Sequence, residues 1–160
     1  MSDAPPPFRY EPPLLQGATP PDQISVDAFL FRGGELLLER RSPRAKSYAG
    51  QRDVPGGRVE AGESTERALV REMKEELAIE VEAELLAAVL NHRDAGSGML
   101  CRHFCYVVVR WSGEPRAAEG QHLEWRRVDR LRELARHEPM APLVPWLVDE
   151  LVARGALARR

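Results

Sequence analysis

Cysteine is scarce in this chain. Cys101 and Cys105 are the only two, four residues apart, so a scaffold built on disulfides is excluded. Lysine is equally rare: Lys46 and Lys74 stand alone among 23 basic residues, and the rest are arginine. That is a compositional bias and carries no function by itself. Charge of one sign is also lacking. The net charge of −2 offers no general attraction to nucleic acid or to an anionic membrane, and neither is an expected partner. No apolar run approaches the ~20 residues a helix needs to span a bilayer. The opening stretch, MSDAPPPFRYEPP, has neither the basic nor the apolar region of a secretory signal, and the expectation is a cytoplasmic protein.

What is present reads as one globular domain. At 160 residues, with 43% hydrophobic and 30% charged, the chain has enough apolar material for a proper core. Seven of the 13 prolines fall within residues 1–22. That segment reads as an extended arm with little regular structure, and Phe8, Tyr10, Leu14 and Leu15 are available to strap it across the domain or a partner. The domain proper is assigned to residues 23–160.

The chain alternates strands and helices. Gln23 to Arg32 is β-branched and aromatic, Gly33-Gly34 is a two-residue hairpin turn, and Glu35 to Arg41 is the partner strand. Glu80 to Asp94 and Met99 to Trp111 read as further strands around a glycine-containing turn, and His122 to Val128 as a shorter one. Asp129 to Arg136 and Pro145 to Arg154 read as helices. The order predicts a mixed α/β (α+β) fold in which helices sandwich a mixed β-sheet. Cys101, His103 and Cys105 would share one face of their strand. A metal there lacks a fourth ligand, and buried side chains in a sheet are the better reading.

The informative stretch runs from Gly57 to Ile79, GRVEAGESTERALVREMKEELAI. Ser64 is placed to cap a helix that runs to about Leu77. Leu69, Val70, Met73 and Leu77 form an apolar stripe at helical spacing. Glu72, Glu75 and Glu76, at i, i+3 and i+4, project from another side. Three mutually repelling acids in the last two turns oppose the helix dipole. A hard divalent cation, which prefers oxygen ligands, would offset that penalty. Pro55-Gly56-Gly57, just before, permits close approach of backbone to a ligand.

These residues resemble the Nudix box: glycine, five residues, glutamate, seven residues, then Arg-Glu, an aliphatic, any residue, Glu-Glu, any residue, glycine and an aliphatic. Gly57, Glu63, Arg71, Glu72, Met73, Glu75, Glu76 and Ile79 match, and Ala78 replaces the family's last glycine. A second match, Trp111 to Trp125 (WSGEPRAAEGQHLEW), is similar to the MutT-type nucleoside-triphosphate hydrolases of that family. The resemblance implies the Nudix α/β/α sandwich and a small-molecule nucleotide substrate, in a monomer or homodimer. It implies hydrolysis of a nucleoside triphosphate to monophosphate and pyrophosphate. It also implies Mg²⁺, with Mn²⁺ as a substitute, on Glu72, Glu75, Glu76, the Gly57 carbonyl and Glu119. One carboxylate must act as base; Glu76 is the first choice and Glu119 the second. Glu63 and Arg71 would pair and fix the loop to the helix. Arg41 would reach phosphate or base, with Arg40 as its competitor.

The base is where the resemblance thins. MutT-type proteins that act on 8-oxo-dGTP carry an aromatic where this chain has Val54, and an asparagine where alignment on Pro145 places Leu143. Leucine cannot hydrogen-bond a base edge. A strict preference for oxidised guanine is therefore not expected. Nucleotide sugars, ADP-ribose and dinucleoside polyphosphates remain alternative substrates, although the features typical of the latter two hydrolases are missing at Asp94, Ala95 and Gly96 to Gly98. A non-catalytic nucleotide sensor is a further alternative, against which the intact glutamates argue.

Overall fold

The computed structural model describes residues 8–11, 20–45, 49–94, 97–137, 140–141 and 143–153. Its strands are β1 (Phe8–Glu11), β2 (Gln23–Phe29), β3 (Phe31–Arg32), β4 (Glu35–Arg40), β5 (Arg52–Asp53), β6 (Gly56–Arg58), β7 (Glu80–Asp94), β8 (Leu100–Ser112) and β9 (His122–Arg127). The helices are α1 (Thr65–Leu77), α2 (Leu131–His137) and α3 (Leu143–Ala153). A five-stranded mixed sheet runs in the order β1-β7-β8-β2-β6, with β2 and β8 parallel and every other pair antiparallel. In a second, antiparallel sheet β4 pairs with β3, β5 and β9.

Strand alternation commits successive residues of β2 to two different cores. Val26 and Ala28, with Leu30 beyond the strand end, join Tyr106 and Val108 of β8 against Leu69, Met73 and Leu77 of α1. Phe29 faces the other way, to Leu36 and Leu38 of β4 and to Val144, Leu147, Val148 and Leu151 of α3. Helices thus cover both faces, in the mixed α+β sandwich that the element order predicts. Leu69, Met73 and Leu77 are fully buried; each contributes roughly 1.5–3 kcal/mol relative to exposure. Among the described residues no helix is long and apolar enough to cross a membrane.

Several expectations need correction. The single strand from Gln23 to Arg32 is interrupted at Leu30, whose carbonyl accepts from Leu37 N, so β2 and β3 serve different sheets. Within the proline-rich segment, Phe8–Glu11 is an edge strand paired with Asn91–Asp94; most of the remainder of that segment lies outside the described residues. Val70, placed in the buried stripe, is 36% exposed, because it sits about 100° around the helix from Leu69. The last helix starts at Leu143, so Pro145 falls within its first turn, where a missing N–H breaks no helical bond. Gly33 and Gly34 have φ of 56° and 80°, the left-handed pair that a tight hairpin between β3 and β4 requires.

Candidate active site

Helix α1 is the base of the site. Ser64 caps it by accepting from Arg67 N at 3.1 Å, and Ala78 ends it in the left-handed region at φ 58°, ψ 34°. A left-handed alanine costs about 1 kcal/mol. The Ala78 and Ile79 N–H groups bond the carbonyls of Lys74 and Met73, which satisfies the end of the helix.

Arg71 ties the helix to the preceding loop. Its Nε and Nη2 donate to the two Glu63 oxygens at 2.8 and 2.9 Å, and Nη2 also reaches the Arg58 carbonyl at 2.9 Å. Its Nη1 donates to Glu72 at 2.8 Å and to Glu75 at 3.2 Å. The Arg71 guanidinium pulls the Glu63 carboxyl down to about 2, helped by the Glu60 N–H.

The other two carboxylates meet backbone. A Cβ at Gly57 would land on the Glu72 carboxylate, so this acid rests against the chain at a point that only glycine allows. Burial raises the Glu72 pKa against the pull of Arg71, and Glu75 and Glu119 raise it further. Glu76 is buried and accepts from Gly56 N at 3.1 Å. Burial, and then the facing Glu39 carboxyl, drive its pKa far above the usual carboxylate range. Glu39 of β4 is itself buried, with its pKa raised by desolvation, and its Oε2 has no hydrogen-bond partner. Both pKa values are raised, the direction expected of two facing carboxyls that share one proton.

Glu119 comes from the loop before β9, which hangs on the end of α1. Ala118 N and Gln121 Nε2 donate to the Glu76 carbonyl at 3.1 and 2.8 Å, and Arg116 N donates to that of Leu77 at 3.0 Å. Glu119 N in turn bonds Gln121 Oε1 at 3.0 Å. The Glu119 side chain is exposed, and its charge acts on Glu39, Glu72 and Glu76.

Among the described residues no three His, Cys, Asp or Glu side chains converge as a ready-made metal cage. Hydrogen bonds from Arg71 and Gly56 N engage their oxygens instead. The donor set nonetheless fits a hard divalent cation. It consists of oxygens alone, its acids repel one another, and the buried Glu39 Oε2 facing it lacks a partner.

A cavity of about 440 Å³ opens beside these acids. It runs from Glu39, Gly56 and Gly57 past Asp53, Val54 and Ala141 to Asp27, His103 and His92. Arg41 lines it, and its charge acts on Glu39 and Asp53. Arg40 does not line it. Strand alternation turns Arg40 to the opposite face, where it lies 3.9 Å from Glu124. Val54 lines the cavity and is buried. Leu143 opens α3, but its side chain lies outside the described set.

Glu39, Asp53, Asp27, His92 and His103 line the same cavity, and sequence reasoning assigned none of them to the site. Their one signal was an ionisable residue interrupting an apolar strand, as in ISVDAFLF and LCRHFCYV. Burial, and then Asp27, push Asp53 up to about 7, while Arg41 opposes. Cys101 and Cys105 are buried and form no disulfide, and both His103 ring nitrogens are engaged by Asp27 and His92.

The NUDIX domain family matches residues 21–147, and the chain belongs to that family. Within it the chain is a hydrolase of the MutT type, acting on phosphoric anhydrides. It is 36% identical over 132 residues to an Escherichia coli protein named CTP pyrophosphohydrolase, covering 82% of this chain and 93% of that one. It is 35% identical over 106 residues to the Escherichia coli 8-oxo-dGTP diphosphatase, covering 64% and 78%. A crystal structure of a MutT Nudix hydrolase from Burkholderia pseudomallei superposes with a TM-score of 0.70 at 33% identity, over 80% of this chain and 96% of that one.

Proposed function

We propose that the protein is a Mg²⁺-dependent pyrophosphohydrolase that converts a nucleoside triphosphate and water into a nucleoside monophosphate and pyrophosphate. The observation that carries this reading is the buried Glu76–Glu39 pair, whose Glu39 lines one end of a cavity large enough for a nucleotide. Two carboxyls that cannot both ionise without a cation mark where one belongs. Glu72, Glu75, Glu76, the Gly57 carbonyl and Glu119 would hold Mg²⁺. The chemistry such an ion would supply there is charge neutralisation of the polyphosphate and activation of water.

The rest falls to the chain itself. Glu76, oriented by Gly56 N, accepts the proton of the attacking water, and Glu119 is the alternative acceptor. Arg71 sets the directions of Glu72 and Glu75, and Glu63 holds Arg71 in place. Arg41 contacts the phosphate chain from the cavity wall.

The test is a panel of nucleoside triphosphates, nucleotide sugars and dinucleoside polyphosphates with Mg²⁺ and Mn²⁺, with products separated by chromatography. The expected result is monophosphate and pyrophosphate in equal amounts from triphosphates. Release of a sugar phosphate from a nucleotide sugar as the faster reaction, or no metal-dependent turnover of any member, would overturn the reading.

A further inference from the structure

We infer that Asp27, clamped by His103, reads the nucleobase and selects nucleotides whose base carries an exocyclic amine. The inference deepens the triphosphate reading and rests on it for the placement of the phosphates.

The cavity fixes the direction in which a nucleotide lies. Its reactive end is set by Glu39, Gly56 and Gly57. From there the floor is crossed strand by strand. Gly56 of β6 pairs with Asp27 of β2, β2 pairs with β8, which carries His103, and β8 pairs with β7, which carries His92. At a strand spacing of about 4.8 Å, β8 lies roughly 10 Å from β6. A nucleotide with its phosphates at Gly57 therefore brings its base over Asp27 and His103. Val54 and Ala141, both buried, supply apolar wall for the faces of the ring.

The polar floor is built. His103 Nδ1 lies 2.7 Å from Asp27 Oδ2, and His103 Nε2 lies 2.7 Å from His92 Nδ1. Burial works against charge on His103, but the Asp27 carboxylate overrides it and raises the His103 pKa. Burial, and then the His103 charge, hold His92 down at about 4, so His92 stays neutral. His103 thus bonds Asp27 through one ring nitrogen and His92 through the other. The Cys105 thiol also faces Asp27 Oδ2, at 3.9 Å. Both contacts fall on Oδ2. These contacts hold the rotamer of Asp27, they leave Oδ1 to neither partner, and Asp27 lines the cavity.

A buried Asp–His pair at this depth is a poor device for stability, since apolar side chains of similar volume usually serve as well or better. Here it sits on the wall of the substrate cavity rather than in either apolar core. A fixed carboxylate oxygen accepts from an amine N–H and repels a carbonyl oxygen. Cytosine and uracil differ at C4, amine against carbonyl, and at N3, acceptor against N–H; with Asp27 on the C4 substituent, the cytosine nucleotide is the one favoured, and the two make a direct probe. A site built around one hydrogen bond rejects the analogue that cannot make it.

The experiment measures kcat/KM for CTP and UTP with Mg²⁺. Alongside it, calorimetry without metal measures the affinities of CMP and UMP. The proteins are wild type, Asp27→Asn and His103→Gln. Wild type should favour the cytosine member at least ~10-fold in both readouts. Asp27→Asn, whose amide offers a donor as well as an acceptor, should bring the ratio to within ~3-fold. His103→Gln should give a ratio between the two. Equal use of CTP and UTP with equal binding of CMP and UMP by wild type overturns the inference, even if Asp27→Asn does not fold. An unchanged ratio in a folded Asp27→Asn overturns it too, because a merely structural role would lower both nucleotides alike. If no triphosphate is hydrolysed but CMP outbinds UMP, the pyrophosphohydrolase reading fails and the base reader stands. If triphosphates are hydrolysed and the monophosphates bind alike, the base reader alone fails.

Discussion

Gly56 and Gly57 are adjacent, and the structure assigns them opposite sensitivities. A Cβ at Gly56 would strike the Val26 carbonyl of β2, with Val26 C at 3.1 Å and Asp27 Cα at 3.2 Å. That is backbone inside a five-stranded sheet, and it cannot move alone. A Cβ at Gly57 would strike only the Glu72 carboxylate, the far end of a flexible side chain that Arg71 already holds from the other side. Neither glycine has a positive φ, so both substitutions report steric contact alone. Gly56→Ala should cost about 1–3 kcal/mol, as overpacking does. At about 2–4 °C per kcal/mol for a domain of this size, Tm should fall by roughly 2–12 °C. Gly57→Ala should change stability by no more than about 1 kcal/mol. It displaces the Glu72 carboxylate by about an ångström, and a misplacement of that size can cost on the order of 100-fold in turnover. Thermal denaturation in EDTA and steady-state turnover with saturating Mg²⁺ read the two effects separately. Adding Glu72→Ala to Gly57→Ala should remove the clash without restoring activity. The reasoning is refuted if Gly57→Ala lowers Tm as much as Gly56→Ala while turnover stays near wild type.

Other expectations follow from single contacts. The Glu63 carboxyl lies below its unfolded value, so its contribution to stability is present above pH ~4.5 and is lost as pH falls toward 2; Glu63→Gln should flatten that acid limb in thermal scans, and an unchanged limb would count against the Arg71 clamp. Ala78→Gly should raise stability by about 0.5–1 kcal/mol, because relief of the left-handed strain exceeds the entropy cost of glycine; a lower Tm would show that the strain is not there. The proton shared by Glu76 and Glu39 must leave when a cation binds, so calorimetric Mg²⁺ titrations in buffers of different ionisation enthalpy should report release of about one proton per ion near neutral pH. Identical heats in all buffers would remove the shared proton from the account.

Those contacts differ in how far the sequence alone announced them. The Glu63–Arg71 pair, though local, was implied by the resemblance to the Nudix box. The Ser64 cap is also local, decided by residues within one helix and its leading loop, and was legible for that reason. The Gly33-Gly34 hairpin was legible for the same reason. Glu39 was not, because its meeting with Glu76 depends on how the second sheet sits against α1, and no spacing encodes that. Asp27, His103 and His92 arrive from three strands whose register sets their contact. A charged residue inside an apolar strand hinted at each, but it did not say which other strand would answer it. The edge strand at Phe8–Glu11 was hidden by proline composition, which argues for an extended chain and is silent on whether a sheet edge lies nearby. Arg40 and Arg41 were indistinguishable as neighbours; only the alternation of β4 separates them.

The measurement that bears most directly on the account is turnover of CTP by wild type and Glu76→Gln, each with Mg²⁺ and with EDTA, alongside a Tm for each protein. Wild type with Mg²⁺ should yield CMP and pyrophosphate, and EDTA should abolish the reaction. Glu76→Gln should fold and lose ~10²–10⁴-fold in rate. A folded Glu76→Gln protein turning over at the wild-type rate, or wild type working unimpaired in EDTA, would contradict the claim that the α1 carboxylates carry the chemistry.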